Sequence, residues 1–440
     1  MRSAFLAIIL TYVLFVGASY PFAAMLGYVW IDIVKPQTLA YSLISTLPVS
    51  LIAAVITLAS FFIRSEKKKI RGVPMLLLLG FFAIWITFTT VIADQGIEPW
   101  PKWDWAFKVV VFSIFIPFVI RTRVHIEAFL LTMVFSVATI AFSGGVKAAM
   151  GGGGYGVLAV MGSGNTGLSE SSTLAAICVM QLPIMHYLFK HSVIFPDSRV
   201  FKALIAGTAL VFIFAIVGTG ARTGLVAGGC LLALYALRSR RKVAFGAAML
   251  VGLAIVSQLD LSQTAWGNRM SSIGTYKQDS SAMGRVEVWK WTANFAFAHP
   301  LGGGFDAFKL NRIALVNEEG IQYYDPREYR GKAFHNVFFE VMGEQGLVGF
   351  AAYLAILGLT LWKLSRVRLR SRNDPALAWL SDISLKISDA LVVLLVGGMF
   401  VGIAYQCYIF YLVALTVCLG ELMPTVKGAK KIALRHAEQH

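Results

Sequence analysis

Long apolar runs, separated by short basic or glycine-containing segments, dominate the pattern of this chain. An apolar run of about 18 or more residues is long enough to cross the hydrocarbon core of a bilayer as a helix. The pattern predicts about twelve spans with both termini on the same side. The predicted spans are residues 4–20, 42–63, 73–93, 107–120, 126–143, 172–190, 203–220, 223–237, 243–257, 335–363, 386–404 and 405–423.

One apolar segment does not fit this series. The stretch from Pro21 to Pro36 is short and carries a proline at each end. If it were counted as a span, the basic clusters would no longer all lie on the cytoplasmic side of the membrane. We therefore predict a re-entrant or interfacial piece on the outer side.

Composition supports a membrane protein: 57% of the 440 residues are hydrophobic and only 14% are charged. The predicted class is an all-α polytopic membrane protein. We divide it into residues 1–257 with nine spans, residues 258–334 as a large outer loop with an interfacial amphipathic helix, and residues 335–440 with three spans and a cytoplasmic tail. Shorter outer loops are expected over residues 94–105 and 144–171.

The net charge of +16 does not indicate a nucleic-acid partner. The basic residues form short clusters beside apolar segments, as the positive-inside rule predicts for cytoplasmic loops. Attraction to anionic membrane lipids follows from the same clusters. The clusters are residues 64–71, 121–123, 238–242, 363–372 and 427–431.

Three basic residues break that rule and are predicted to lie at the outer face: Arg222, Arg285 and His335. Arg222 is in the hairpin "GTGARTGL", and Arg285 opens the Trp-rich helix "GRVEVWKWTANFAFA". His335 opens the stretch "HNVFFEVMGEQGLVGF". Three basic groups at one face predict a binding site for an anion.

The helix after His335 carries further polar groups. Glu340 and Glu344 are one turn apart on one face, and Asn336 is in line with Glu340. Charged groups in a span cost a few kcal/mol, so they need either a functional role or polar partners between helices. Asn336 and Glu340 are therefore candidate substrate contacts, and interhelical hydrogen bonding is the alternative.

This set of residues fits group transfer from a lipid-linked diphosphate. Arginine binds phosphate through a fork of donors and keeps its charge. A neutral histidine accepts a proton near pH 7. Arg222 and Arg285 would stabilise the departing diphosphate, and His335 would deprotonate an acceptor hydroxyl. We expect no metal and no cofactor, because the arginines can neutralise the diphosphate.

The motifs resemble a known superfamily. "HNVFFEVMGEQGLVGF" resembles the His-Asn…Glu…Gly-Leu-x-Gly motif of O-antigen ligases and polymerases, and "GTGARTGL" is similar to their Arg-Thr hairpin. "GRVEVWKWTANFAFAHPLGGGF" resembles their Gly-Arg…Trp…Pro-Leu-x-Gly-x-Gly-Phe stretch. The segment "YVWIDIVKPQTLAYSL" is similar to O-glycosylation ligases that accompany exosortase systems.

The resemblance implies a GT-C-like fold in the bacterial inner membrane, with the active site on the periplasmic side. It implies His335 as the catalytic residue and Arg222 and Arg285 as diphosphate ligands. The donor would be undecaprenyl-diphosphate-linked glycan, and the acceptor would be the lipid A–core oligosaccharide. The reaction would be metal-independent and inverting. Glu170 occupies a loop position where many relatives carry an Asp-Asn pair, so it is a weaker candidate contact.

Three alternatives stay open from the sequence. An O-antigen polymerase or a protein O-oligosaccharyltransferase would use the same donor with another acceptor. A polysaccharide or lipid transporter would instead carry charged residues near mid-bilayer and broken helices in matched halves. The ionisable residues lie toward one face, and no two-fold pattern is visible, so the sequence favours an enzyme.

Overall fold

A computed structural model describes most of the chain as long helices. The described residues are 2–39, 47–64, 72–94, 96–150, 168, 170–239, 280–313, 315–316, 322–323 and 331–437. The predicted span 243–257 and residues 258–279 of the predicted outer loop lie outside them.

The first half of the chain contributes helices α1 to α8. Their bounds are α1 Arg2–Ser19, α2 Pro21–Val34, α3 Pro36–Leu39, α4 Val49–Arg64, α5 Val73–Val91, α6 Trp100–Val119, α7 Arg123–Ala149 and α8 Ser171–His191. Proline in the first turn opens α2, α5 and α6, where its missing N–H costs no helical hydrogen bond.

The second half contributes α9 to α14 and a small two-stranded ladder. Their bounds are α9 Arg199–Gly218, α10 Arg222–Arg238, α11 Ser280–Ala298, β1 Leu315–Val316, β2 Gln322–Tyr323, α12 Val337–Ser371, α13 Ala378–Gly398 and α14 Cys407–Ala437. β1 and β2 pair antiparallel, and short 3₁₀ turns occupy Ala307–Leu310 and Pro375–Leu377.

The helical membrane class is confirmed. Among the described residues, α5, residues 123–142 of α7, α8, α9 and α12 are long and apolar enough to cross a membrane. Exposed apolar side chains such as Leu204, Leu210 and Phe214 cover the outside of α9, as contact with lipid requires. The total of twelve spans stays a prediction.

The centre of the bundle is formed by α8, α13 and α14. Residues 407–419 of α14 are all buried, and α14 packs against α6, α12 and α13. α8 lies between α7, α9, α10 and α13. Because α8 is about 30 Å long at 1.5 Å per residue, its two ends lie at opposite ends of the bundle.

Several predicted boundaries were wrong. The loop predicted over 94–105 is helical from Trp100 onward, and α7 continues through residues 144–149 of the next predicted loop. α13 begins eight residues before the predicted span at 386, and residues 399–406 separate it from α14. The predicted C-terminal tail continues α14 as far as Ala437. Local polarity suggested loops there, but tertiary context overrides weak propensity, since the helices include residues such as Asp104, Gly144 and Gly145.

The short segment after Pro21 forms α2. This helix stops at Lys35, whose backbone is left-handed (φ 47°) and whose N–H bonds to the Ile31 carbonyl. Fourteen residues span about 21 Å, less than a bilayer core. Met25 and Val29 are fully buried against the bundle. Its position relative to the bilayer stays a prediction.

Candidate active site

Helix α11 is fixed against the start of α12 by one tryptophan. Trp289 Nε1 donates a hydrogen bond to the Phe334 carbonyl at 2.8 Å, and its ring stacks on Phe339 with centroids 5.5 Å apart. Arg285 lies one turn before Trp289 and therefore on the same face of α11. This contact holds Arg285 beside the residue that follows Phe334, which is His335.

His335 has an uncommon backbone conformation for a residue with a side chain. Its φ is 46°, in the left-handed region, which costs about 1–2 kcal/mol for a non-glycine residue. The hydrogen bond to Phe334 on one side and the first turn of α12 on the other hold it there. Strained residues of this kind cluster at functional sites, so the conformation marks His335 as a candidate.

Asn336 has a structural task at the start of α12. Its Oδ1 accepts hydrogen bonds from the Phe338 and Phe339 amides at 2.9 and 3.3 Å, as an N-cap does. Its Nδ2 donates to the Met399 carbonyl at 3.0 Å. These bonds engage both polar atoms of the amide, which favours the structural role over the predicted substrate contact.

The surroundings of His335 favour its neutral form. Burial lowers the pKa of the imidazole below its usual 6.5, and the positive charges of Arg285 and Lys332 lower it further, while Glu340 opposes them. An imidazole that is neutral at pH 7 can accept a proton from a hydroxyl group. The shift also shows that Arg285, Lys332 and Glu340 lie within electrostatic range of His335.

Glu170 lies on another side of the same group of residues. It occupies the N-cap position of α8, and its Oε2 accepts a hydrogen bond from Thr173 Oγ1 at 3.0 Å. The pKa of the Glu170 carboxyl is raised, mainly because the group is partly buried and to a smaller extent because Glu340 is nearby. The Thr173 hydrogen bond and the positive charge of Arg285 oppose this shift. Glu170, Arg285, Glu340 and His335 therefore form one electrostatically linked set.

Arg222 lies at the same end of the bundle, as the first residue of α10. The next residue, Thr223, packs near Gly397, where an added Cβ would lie 3.7 Å from the Thr223 methyl group. The following residue, Gly398, packs against Val337 in the first turn of α12. The start of α10 is thus linked through the end of α13 to the residues around His335.

Glu340 and Glu344 share one buried lysine. Lys102 Nζ lies 2.7 Å from Oε1 of each carboxylate. The Lys102 side chain is 16% exposed and the Glu344 side chain is fully buried. Burying two carboxylates is costly unless a cation and hydrogen bonds compensate. The predicted alignment of the two glutamates along α12 therefore serves to hold a second helix, α6, through Lys102.

Backbone amides complete this arrangement. The Ala404 amide donates to Glu340 Oε2 and the Asp306 amide to Glu344 Oε1, both at 3.0 Å. Gly402 packs so closely that an added Cβ would lie 3.3 Å from Glu340 Oε2. The two carboxylates thus tie α6, the loop before α14 and the turn after α11 to the first turns of α12.

The comparisons with known proteins identify the region that contains most of these residues. Residues 207–354 match the family described as O-antigen ligase. This match supports the resemblance of that region to the O-antigen ligase and polymerase superfamily. Residues 1–193 match a family of unknown function. No curated protein matches the chain. Arg222, Arg285 and His335 all lie in the O-antigen ligase region.

Within the O-antigen ligase region, two glycine motifs interlock. Gly346 interrupts α12 with φ 64°, and an added Cβ there would lie 2.2 Å from the Pro300 carbonyl oxygen. The Leu347 amide bonds to that carbonyl at 2.9 Å, and the Gly304 amide bonds to the Glu344 carbonyl at 2.9 Å. The predicted glycine turn after α11 thus fits into a kink of α12.

Two lysines near the O-antigen ligase residues were missed by sequence reasoning. Lys102 lay in a predicted loop, although Pro101 and the tryptophans beside it fit the first turns of a helix. Lys35 ends α2 and lines a cavity of about 420 Å³ together with Lys102, Glu170 and Glu340. Lys35 is a single basic residue at the end of a short apolar segment, and no sequence pattern predicts that it lines this cavity.

Proposed function

We propose that this protein is an O-antigen ligase that transfers a glycan from undecaprenyl diphosphate to the lipid A–core oligosaccharide. The match to the O-antigen ligase family supports transfer of a lipid-linked glycan. The linked set of Arg285, His335, Glu170 and Glu340 supplies the chemistry at one end of the bundle.

The observation that carries this proposal is the placement of a neutral histidine beside an arginine. Trp289 holds α11 so that Arg285 lies within electrostatic range of His335. An acceptor hydroxyl oxygen would form a bond to the anomeric carbon of the glycan, while His335 takes the hydroxyl proton. The bond from that carbon to the diphosphate oxygen would break, leaving its electron pair on undecaprenyl diphosphate.

The arginines would stabilise the charge of the leaving diphosphate. Charge that develops as a bond breaks is stabilised most by donors already in position. Arg285 lies on α11 and Arg222 opens α10, so the two arginines would reach the diphosphate from separate elements, which suits two phosphate groups. The guanidinium fork matches phosphate oxygens in pairs.

In this proposal the His335 end faces the periplasm. Basic residues gather at the other end: Arg123 at the start of α7, Lys190 at the end of α8, Arg238 at the end of α10 and residues 366–372 at the end of α12. Basic residues favour the cytoplasmic side of the inner membrane. With the predicted topology, both termini would then be cytoplasmic.

Transfer by the purified full-length chain in detergent tests the proposal. Undecaprenyl-diphosphate glycan and lipid A–core are mixed with the protein without ATP, and glycan on lipid A–core is measured. We expect product with the wild type and a loss of about 10²–10³-fold in kcat for Arg285→Gln. Arg312→Gln is the matched control, because Arg312 is exposed and donates hydrogen bonds to the nearby Lys309 and Asn311 carbonyls.

The outcome separates the candidate functions. Absence of product with active donor and acceptor would contradict the proposal, as would unchanged transfer by Arg285→Gln. Glycan added to a second donor molecule instead of lipid A–core would show a polymerase.

A further inference from the structure

The polar cavity beside Glu340 is built largely from the N-terminal region. Ten residues line its volume of about 420 Å³. Six of them belong to residues 1–193, the part that matches only a family of unknown function. These six are Lys35, Pro101, Lys102, Trp105, Glu170 and Thr173. The remaining walls come from the 3₁₀ turn after α11, from α12 and from the loop before α14.

The cavity has one aromatic wall among polar ones. Trp105 is half-buried, and its ring lies edge-to-face with Tyr405 at 6.4 Å and 5.7 Å from Lys35 Nζ. Glu170, Asp306 and Gln406 add acceptor oxygens, and Lys35 adds a donor. A flat apolar face surrounded by donors and acceptors suits a sugar ring, which has an apolar C–H face and hydroxyls around its edge.

The cavity also adjoins the proposed reaction centre. Its lining residue Glu170 interacts electrostatically with Arg285, and its lining residue Glu340 does so with His335. A donor sugar is attached to the diphosphate and stays with the arginines. An acceptor sugar must instead present its hydroxyl to His335 from another direction, and the cavity offers one.

We infer that this cavity binds the acceptor sugar ring against Trp105, and that the N-terminal region is therefore the acceptor-binding part of the protein. The inference rests on the proposed function for the identity of the acceptor. It assigns Trp105 and Lys35 to binding and leaves the proton transfer to His335.

The kinetics of Trp105→Ala test the inference in the transfer assay. We expect the KM for the acceptor to rise about tenfold, with kcat and the KM for the donor nearly unchanged, because the lost stacking surface affects binding. Trp100→Ala is the matched control, since Trp100 lies in the same helix, is 50% exposed and lines no part of this cavity. Trp105→Phe should recover most of the acceptor affinity.

Three kinetic results would overturn the inference. If Trp105→Ala kept the wild-type KM values, Trp105 would not contribute to acceptor binding. A rise only in the donor KM would assign the ring to the donor sugar. An equal effect of Trp100→Ala would show a general loss of structure in place of a local one.

Direct binding separates failure of this inference from failure of the proposed function. Saturation-transfer NMR with methyl glycosides of glucose, galactose and N-acetylglucosamine needs no transfer reaction. We expect ring signals with the wild type and Trp100→Ala and a loss of signal with Trp105→Ala. Equal signals with all three proteins would contradict a sugar site at Trp105 even if transfer occurs.

Discussion

The two ends of the helical bundle both bury charged side chains, but they use them differently. At the His335 end, Lys102 holds Glu340 and Glu344 beside a polar cavity. At the other end, Arg238 pairs with the buried Asp389. Both ends therefore contain a cation paired with a buried carboxylate, but the structures around the two pairs differ.

The Arg238 end uses its polar groups to tie a connection to the bundle. Glu127 accepts hydrogen bonds from the Val193 and Ile194 amides at 2.7 and 3.1 Å, in the loop after α8. Arg123 donates to the His191 carbonyl and stacks over Trp379 with 4.6 Å to the ring centroid. These partners satisfy backbone groups that a loop would otherwise leave without hydrogen bonds.

The His335 end adds features that structural pairing does not require. His335 has a left-handed backbone, and burial together with the nearby cations Arg285 and Lys332 lowers the pKa of its imidazole. A cavity borders the carboxylates. The comparison teaches that buried charge alone does not distinguish the two ends, whereas a cavity and a strained, titratable residue do, and such features cluster at functional sites.

Removing Lys102 should have the largest effect on stability. Lys102→Met leaves Glu340 and Glu344 without their cation, which should cost about 3–5 kcal/mol of unfolding free energy. Thermal unfolding in detergent measures it. Lys108→Met, one turn and a half further along α6, is the control, because its pair with Asp104 is exposed and worth about 0–1 kcal/mol. Equal unfolding temperatures of the two variants would contradict this account.

A smaller, purely structural effect is expected at the other end. Asp389→Ala should lower the unfolding free energy by about 1–2 kcal/mol, because Arg238 is 35% exposed and can turn to water. The kcat for transfer should match the wild type. Asp197→Asn is the control, since Asp197 is fully exposed. A fall in kcat without a fall in unfolding temperature would place function at the Arg238 end.

The smallest expected effect is a shift in pH dependence. Transfer should rise with pH to a midpoint below 6.5, because the neutral imidazole of His335 accepts the proton. Lys332→Gln removes one of the charges that lower this pKa, so the midpoint should move upward. Lys309→Gln is the control, because Lys309 pairs with Asp306. A downward shift, or equal shifts in both variants, would exclude the assigned electrostatics.

The same pKa shift has a consequence for folding. Protonation of His335 is less favourable in the folded than in the unfolded chain. The unfolded chain therefore binds more protons below about pH 6.5, and the stability contributed by this group falls as the pH falls through that range.

Sequence reasoning could predict what depends on local spacing. The alignment of Glu340 with Glu344 follows from helical periodicity, and the Trp-rich helix after Arg285 follows from its pattern. The approach of Arg285 to His335 depends on the Trp289 hydrogen bond to Phe334, which joins residues 45 positions apart. The sequence could indicate that Arg285 lies near His335 only through its resemblance to a family, and not through any local pattern.

Other features depend on long-range contacts that no local pattern specifies. Lys102 reaches Glu340 across 238 positions of sequence. The kink at Gly346 requires the turn after Pro300 as its partner. The segment around Lys102 was predicted as a loop because tryptophans and acidic residues suggested an interface, although Pro101 is also typical of the first turn of a helix.

The most direct test of the central claim is transfer by His335→Ala, with His299→Ala as the matched control. His299 is exposed at the end of α11, where its ring stacks on Phe295 at 4.4 Å. We predict that His335→Ala lowers kcat by about 10²–10⁴-fold while donor binding and unfolding temperature stay near wild type. His299→Ala should transfer glycan normally. Wild-type turnover by His335→Ala would contradict the assignment of this residue as the base.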